Sequence, residues 1–396
     1  MKKRDISGCS PYDRHVADDM MCTRDGSLTQ TVVATGLASQ VSDAEVSNGL
    51  YSRWMRMLEG ISLKPHMALW IHLERRLGSG ELGATKESEY DLHDADERPL
   101  ENHLSVSPVC RVTDGRSQRT WDRDLRVLSH IEPVQMSGEA DLRALSAQVR
   151  SCLHRHQPAG LGLTAHDDRR SSELLAFYAR LISAEVRTSC SDAGPQEWNL
   201  DTSALHFGSD IVAIDTPHGR RYAAALTMIG PCPAERIRSD VFESMLSAPF
   251  EFVLNQSITA TMIDRSKSLH SLERLKPVDH RVQADRADTP DASGSPLPMF
   301  EHELVLIIYG DSVAQLEVNV RRATALLDAK GMYLSCEQGS ALVCAYFSVL
   351  PGNFRMGRLR AMPLNAEGLA KLFPLMQHRG SDSRDQVEAN ADAALS

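Results

Sequence analysis

The sequence predicts a fold of the α+β kind (mixed α/β), with helices packed on mixed or antiparallel sheets and a C-terminal βαβα unit. Three observations predict it. His302 to Tyr309 is a nearly unbroken apolar run closed by Gly310 and Asp311, and its lack of polar alternation points to a strand buried on both faces. Residues 312–330 follow at helical spacing, with Leu316, Val320, Ala323 and Leu327 on one face. Upstream, short apolar and β-branched runs alternate with further helical segments, and Asp25-Gly26 joins two of the runs as a hairpin would.

In chain order, residues 1–11 read as a loose terminus and residues 20–22 and 28–34 as two strands, the second ended by Gly36. Residues 41–58 read as a helix: Ser42 and Glu45 have capping-box spacing, and Leu50, Trp54 and Leu58 share a face. A strand is expected at 67–73. Residues 78–98 are polar and acidic, as in a solvated loop. Residues 103–112 read as a strand, and 113–136 carry no assignable pattern. Helices are expected at 140–154, through Leu142, Leu145 and Val149, and at 172–187, capped by Ser172. Residues 204–215 are strand-rich, Pro217 to Gly219 form a turn, and 221–228 return as a strand. A short helix at 235–246, strands at 250–254 and 257–263 and helical spacing over 264–275 follow. Residues 284–298 are a linker by composition. In the last unit Ser312 and Gln315 have capping-box spacing, and Gly331 stands where a left-handed residue ends a helix. Residues 332–337 read as a strand, 341–350 as an apolar helix and 369–376 as a short helix. The organisation expected is therefore an N-terminal strand–strand–helix–strand unit at 1–76, a polar variable insert at 77–139, a central α/β unit at 140–283, a linker at 284–299, the βαβα unit at 300–379 and a disordered tail at 380–396.

Composition narrows the function. The formal net charge of -10 leaves no general field for phosphates, so no direct nucleic-acid partner is expected. No apolar run reaches the roughly 18–20 residues a spanning helix needs, and the charged start, Met1 to Asp5, has no apolar stretch behind it. The eight cysteines are scattered without a C-x-x-C pair, as in a reduced cytoplasmic chain.

Several patterns raise a chemistry and then fail its requirements. Gly78 to Gly83 match G-x-G-x-x-G after a strand, but the acidic segment behind them is not the helix a dinucleotide site needs. Residues 210–215 resemble a strand ending in a Mg²⁺-binding acid, Asp215, yet no G-x-x-x-x-G-K-[ST] loop faces it, and turn capping is the expected role. Cys152, His154 and His156 alternate near a helix end without a second cluster to complete a metal site. No serine sits in a G-x-S-x-G elbow. Met20, Met21, Trp54, Met55 and Met57 read as core. No catalytic, cofactor or metal residue is assigned.

Pro351, Gly352, Asn353, Phe354 and Arg355 stand apart. Pro-Gly forces a tight turn straight after an apolar helix, Asn353 can bond its own backbone, Phe354 would anchor the turn and Arg355 would point to solvent or a partner. The five residues are either a structural corner or an interaction site.

This corner and three earlier segments resemble the CagE/TrbE/VirB family of type IV secretion and conjugation ATPases. Tyr12 to Val16 with Thr23 to Gln30 are similar to the family's opening hairpin, Ser171 to Phe177 to its first central helix, and Leu246 to Ser257 to a strand-entry motif. The fourth match is His302 to Tyr309 with Asp311 and Leu350 to Arg355. The matches keep the family's order over residues 12 to about 375, while residues 80–140 and the stretch after Arg355 depart from it. The resemblance implies the N-terminal, non-motor region, with no RecA-like motor domain. ATP and Mg would then belong to the full-length family and no cofactor to this chain. It implies inner-membrane subunits of the secretion system and other copies of the ATPase as partners. It also implies a place at the cytoplasmic face of the inner membrane, held peripherally through those partners. A truncated or stand-alone form, or one half of a split ATPase, is the expectation that follows. The alternatives are an unrelated α/β nucleotide-binding enzyme using Asp215 or Asp311, and a non-functional remnant.

Overall fold

A computed structural model describes residues 9–34, 44–77, 100–111, 132–166, 169–183, 204–229, 240–260, 298–356 and 358–374. The first elements are β1 (Tyr12–Ala17), β2 (Met20–Thr23), β3 (Leu28–Thr29), β4 (Val32–Ala34), α1 (Ala44–Ser62), β5 (Met67–Leu77) and β6 (Leu100–Cys110). Then come α2 (Glu132–Cys152), β7 (Ala159–Gly160), β8 (Leu163–His166), β9 (Arg169–Ser172), α3 (Glu173–Ser183), β10 (Leu205–Phe207), β11 (Val212–Thr216), β12 (Gly219–Met228), α4 (Glu243–Leu246) and β13 (Phe252–Ala260). The last are β14 (Met299–Gly310), α5 (Val313–Asp328), β15 (Leu334–Cys336), α6 (Gly339–Ser348), β16 (Met362–Asn365) and α7 (Ala366–Lys371).

One 14-stranded sheet organises them, in the order β1-β2-β3-β6-β5-β13-β14-β12-β11-β10, with β4, β7, β15 and β16 attached at its sides. Among the described residues every strand ladder is antiparallel. The α+β expectation holds, and so does the order of the C-terminal unit, β14-α5-β15-α6. Its two strands are not neighbours, because β12 lies between them and pairs with both. Strands from the expected units at 1–76, 77–139, 140–283 and 300–379 are hydrogen-bonded into this single sheet.

β14 is central because it is buried on both faces, as its unbroken apolar run requires. Phe300, Leu304, Leu306 and Ile308 join the core under α1, α2, α5 and α7; Val305, Ile307 and Tyr309 join the core under α3 and α6. The α5 cap forms as its spacing predicts. Ser312 Oγ accepts from Gln315 N at 3.2 Å, and Gln315 Oε1 accepts from Asp311 N at 3.0 Å, one residue before the usual partner. Gly331 ends the helix at φ 79°, where a Cβ would be strained. The methionines and tryptophan read as core are core: Met20, Met21, Trp54 and Met57 are buried, and Met55 packs against them.

The structure corrects several boundaries. Over the described residues, the runs expected at 250–254 and 257–263 are joined in one strand, β13 (Phe252–Ala260), because Asn255 and Gln256 are laddered on both sides by β5 and β14. The strand expected at 103–112 forms as β6 (Leu100–Cys110) and pairs with β5 along its whole length, so the described part of the segment 77–139, expected as a polar insert, includes a strand of the main sheet. Its polar residues His103, Ser105 and Ser107 alternate with buried Leu104 and Val106 on the strand's other face. The described part of 235–246 is helical only over α4. The loop at 78–98, the Ser42–Glu45 box, the helical spacing over 264–275, the linker as far as residue 297 and the tail at 380–396 lie outside the described residues.

Candidate functional site

The end of α6 leaves carbonyl groups that the helix itself cannot satisfy. Side chains from distant strands take them. Trp70 Nε1 on β5 donates to Ser348 O at 3.0 Å, His72 Nε2 to Val349 O at 2.7 Å, and Tyr12 OH on β1 to Pro351 O at 3.1 Å. The backbone N of Asn353 closes its own turn on Leu350 O at 3.0 Å, while its side chain reaches beyond the turn. Its Nδ2 reaches Phe347 O at 2.9 Å and Cys9 O at 3.1 Å, because the helix end and the N-terminal segment both offer an acceptor there. Gly352 adopts φ 77°, and a Cβ would meet Thr23 Cγ2 at 3.3 Å and Val109 Cγ1 at 3.6 Å. Phe354 packs edge-on against Trp70, with ring centroids 5.1 Å apart, and the Arg111 guanidinium lies 4.8 Å from its ring centre. Arg355 alone of the five is exposed. Pro351 to Phe354 thus bind the end of the βαβα unit to the first hairpin and to the centre of the sheet.

Beside the corner, α3 covers a buried ionic network. Glu74 is 1 % exposed and receives Arg180 through both oxygens, at 3.1 Å each. Arg76 lies 3.6 Å from Glu74 and donates to Arg180 O at 2.8 Å. Its guanidinium sits 4.6 Å over the Tyr309 ring. Arg221 then pairs with Glu251 and with Asp311, the latter at 2.9 Å. Burial by itself raises the Glu74 carboxyl, but the Arg180 and Arg76 charges outweigh it and hold the group at about 2. Burial also drives His72 down to about 4, against the pull of the Val349 carbonyl. Because a carbonyl only accepts, Nε2 carries the His72 proton and Nδ1 is the bare acceptor.

Sequence reasoning found the corner and missed the polar residues beneath and beside it. Their signal was available: His72, Glu74 and Arg76 are spaced at two, so a strand places all three on one face. The charged Glu74-Arg75-Arg76 run reads instead as the exit of a strand ending at Leu73.

The other candidate residues have structural settings. Asp215 does not cap the turn. It bridges β10 and β12, bonding His206 Nε2 and Arg220 Nε at 2.7 Å each, and the turn is closed by Thr216 Oγ1, which accepts from His218 N. The hydrogen bonds from Arg220 and His206 hold the Asp215 carboxyl at about 2. Asp311 is in the network above. Cys152 is buried at the end of α2, while His154 and His156 lie on the following 3-10 turn. Among the described residues no His, Cys, Asp and Glu side chains gather as a metal site. Gly78 to Gly83 lie outside the described residues. Among the described residues no helix is long and apolar enough to cross a membrane.

Residues 160–358, from β7 through the corner, match the model of the CagE, TrbE, VirB family, component of type IV transporter system. The chain belongs to this family. Its curated relatives include the type IV secretion system protein virB4 of Bartonella quintana, 22% identical over 383 residues, covering 92% of this chain and 48% of the relative. The type IV secretion system protein PtlC of Bordetella pertussis is 22% identical over 384 residues, covering 91% and 45%. Protein virB4 of Agrobacterium fabrum is 24% identical over 365 residues, covering 87% and 45%. The chain spans about half the length of the curated relatives it matches. The first central helix, the strand-entry motif and the corner of the resemblance fall within the matched residues, and the opening hairpin precedes them.

Proposed function

We propose that this span is the docking and assembly region of a type IV secretion ATPase and does not itself hydrolyse ATP. It works at the cytoplasmic face of the inner membrane, where it meets the system's membrane subunits and other copies of the ATPase. ATP and Mg²⁺ are handled by the motor part of the full-length family. The observation that carries the reading is the sheet. A phosphate loop joins a strand of a largely parallel sheet to the helix behind it, whereas the described ladders of this chain are antiparallel throughout. The sequence also holds no G-x-x-x-x-G-K-[ST] segment.

The corner fits an assembly role because Pro351 to Phe354 fix its shape from within and leave Arg355 free to face outward. Calorimetric titration with MgATP should give no saturable heat; binding in the micromolar range would overturn the non-catalytic reading. Immobilised chain should retain the inner-membrane subunit of its own system, and Arg355→Glu should weaken that retention by about tenfold, the scale of one lost charge-assisted contact. Equal retention by the variant would remove the corner from the docking surface.

A further inference from the structure

We infer that ordered water is bound inside the molecule between Ser105, His72 and Asn255, on the face of the sheet beneath the end of α6. The three residues form one row across three strands. Ser105 on β6 is the register partner of His72 on β5, and His72 is the register partner of Asn255 on β13. Register partners point to the same face, with Cβ atoms about 4.5–5.5 Å apart. His72 and Asn255 are 0 % exposed and Ser105 is 2 % exposed. Yet His72 Nδ1, both polar atoms of the Asn255 amide and Ser105 Oγ have no hydrogen-bond partner among the described residues. In the next row of the same face, Ser257 on β13 faces Glu303 on β14, and Glu303 Oε2 is likewise without a partner.

Buried polar groups in folded proteins are almost always paired, and a group left unpaired costs about 1–3 kcal/mol. Several of them in one row therefore define a site. Its chemistry selects the occupant. His72 Nδ1 is a bare acceptor, because Nε2 spends its proton on Val349 O. The Asn255 carbonyl is an acceptor, its amide nitrogen a double donor, and the Ser105 hydroxyl does both. A cation would satisfy only the acceptors and an anion only the donors. Water donates and accepts, and bound internal waters typically make about three such bonds. The end of α6 thus rests on a hydrated row, whereas the neighbouring Glu74–Arg180 pair is sealed by direct contacts.

A crystal structure of this chain at a resolution that shows ordered solvent should place density at hydrogen-bond distance from His72 Nδ1 and from the Asn255 amide. A direct bond from the Asn255 amide to His72 or Ser105, with no solvent peak between them, would overturn the inference. Oxygen-17 magnetic relaxation dispersion gives a second reading in solution. Asn255→Leu should lower the number of long-lived internal waters by about one or two relative to the native chain, and an unchanged number would equally overturn it.

Discussion

The two faces of the sheet are built from the same strands and on opposite terms. Toward α1, α2, α5 and α7, β5 presents Met67, Leu69, Ile71 and Leu73, and β14 presents Phe300, Leu304, Leu306 and Ile308. Among the described residues, buried polar groups on that side include His302 with Gln256 at 3.0 Å, Ser146 of α2 with Gln30 at 2.6 Å, and Asn319 of α5 on Tyr309 O at 2.9 Å. Toward α3 and α6, β5 presents Trp70, His72, Glu74 and Arg76, β6 presents Ser105 and Ser107, and β13 presents Asn255 and Ser257, all buried. The first face is held by non-directional apolar contact, which tolerates small adjustments. The second has an apolar core of its own, with Val305, Ile307, Leu174 and Phe347, and adds hydrogen bonds and ion pairs of fixed geometry, which fail as a unit when one member is lost. The family match lies over most of that second, directional cover: α3, α6 and the corner all fall within residues 160–358.

The largest effect that could break this contrast is expected at Arg180. Arg180→Met leaves Glu74 buried without its bidentate partner and should destabilise the chain by about 3–5 kcal/mol in urea unfolding. The double variant Glu74→Gln, Arg180→Met should recover a clear part of the loss, because the uncompensated charge is gone. On the apolar face, Leu306→Ala should cost about 2–5 kcal/mol by leaving a cavity, with no such rescue by a neighbour. A loss under about 1 kcal/mol for Arg180→Met would mean that solvent, and not Arg180, balances Glu74.

His72 sharpens the contrast through pH. Its folded value, about 4, lies below the ordinary 6.5, so between those limits the unfolded chain binds the extra proton and stability falls as pH falls. The full loss by pH 4 is about 3 kcal/mol, at about 1.4 kcal/mol for each pH unit between the two values. His72→Gln keeps a donor near Val349 O but does not titrate. It should therefore flatten the stability profile between pH 6.5 and 4 by about one proton. An unchanged slope would show that His72 does not carry the proton difference.

The apolar face was the legible one. A run such as His302 to Tyr309, or the spacing of Leu316, Ala323 and Leu327, announces burial through residue type alone. The corner was legible too, since Pro351 and Gly352 restrict the backbone wherever they stand. The bed beneath it was not. His72, Glu74, Ser105 and Asn255 are residue types that usually mark surface, and only pairing across β6, β5 and β13 makes them a buried row. β6 was legible as a strand over 103–112, but not its place beside β5 in the middle of the sheet, which only pairing reveals. Asp215 was misread for a related reason: its partners His206 and Arg220 sit on two different strands, and no local spacing joins them.

Gly352 tests the corner without touching charge. Its left-handed backbone and the 3.3 Å approach to Thr23 leave no easy room for a methyl group. Gly352→Ala should cost about 1–2 kcal/mol. An increase in trypsin cleavage at the nearby Arg355 would be the local readout. Wild-type stability together with wild-type cleavage would show that the corner is loose and that its fit to the hairpin does not matter.

The smallest expected quantity is the difference between two serine caps, one on each face, and it is the finest test of the comparison. Ser312 caps α5 on the apolar side, and its hydroxyl serves Gln315 N at 3.2 Å. Ser172 caps α3 on the polar side, serving Leu175 N at 3.1 Å and also His15 Nε2 at 2.8 Å. Ser312→Ala should cost about 1 kcal/mol, the ordinary value of a cap. Ser172→Ala should cost more, by about 0.5–1 kcal/mol, because it also strips the half-buried His15 of a hydrogen bond. If the two losses are equal, the links between the polar cover and the N-terminal strands are geometric coincidences. If Ser172→Ala is the costlier, a hydroxyl that the sequence marks only as a helix start also fastens β1 to α3.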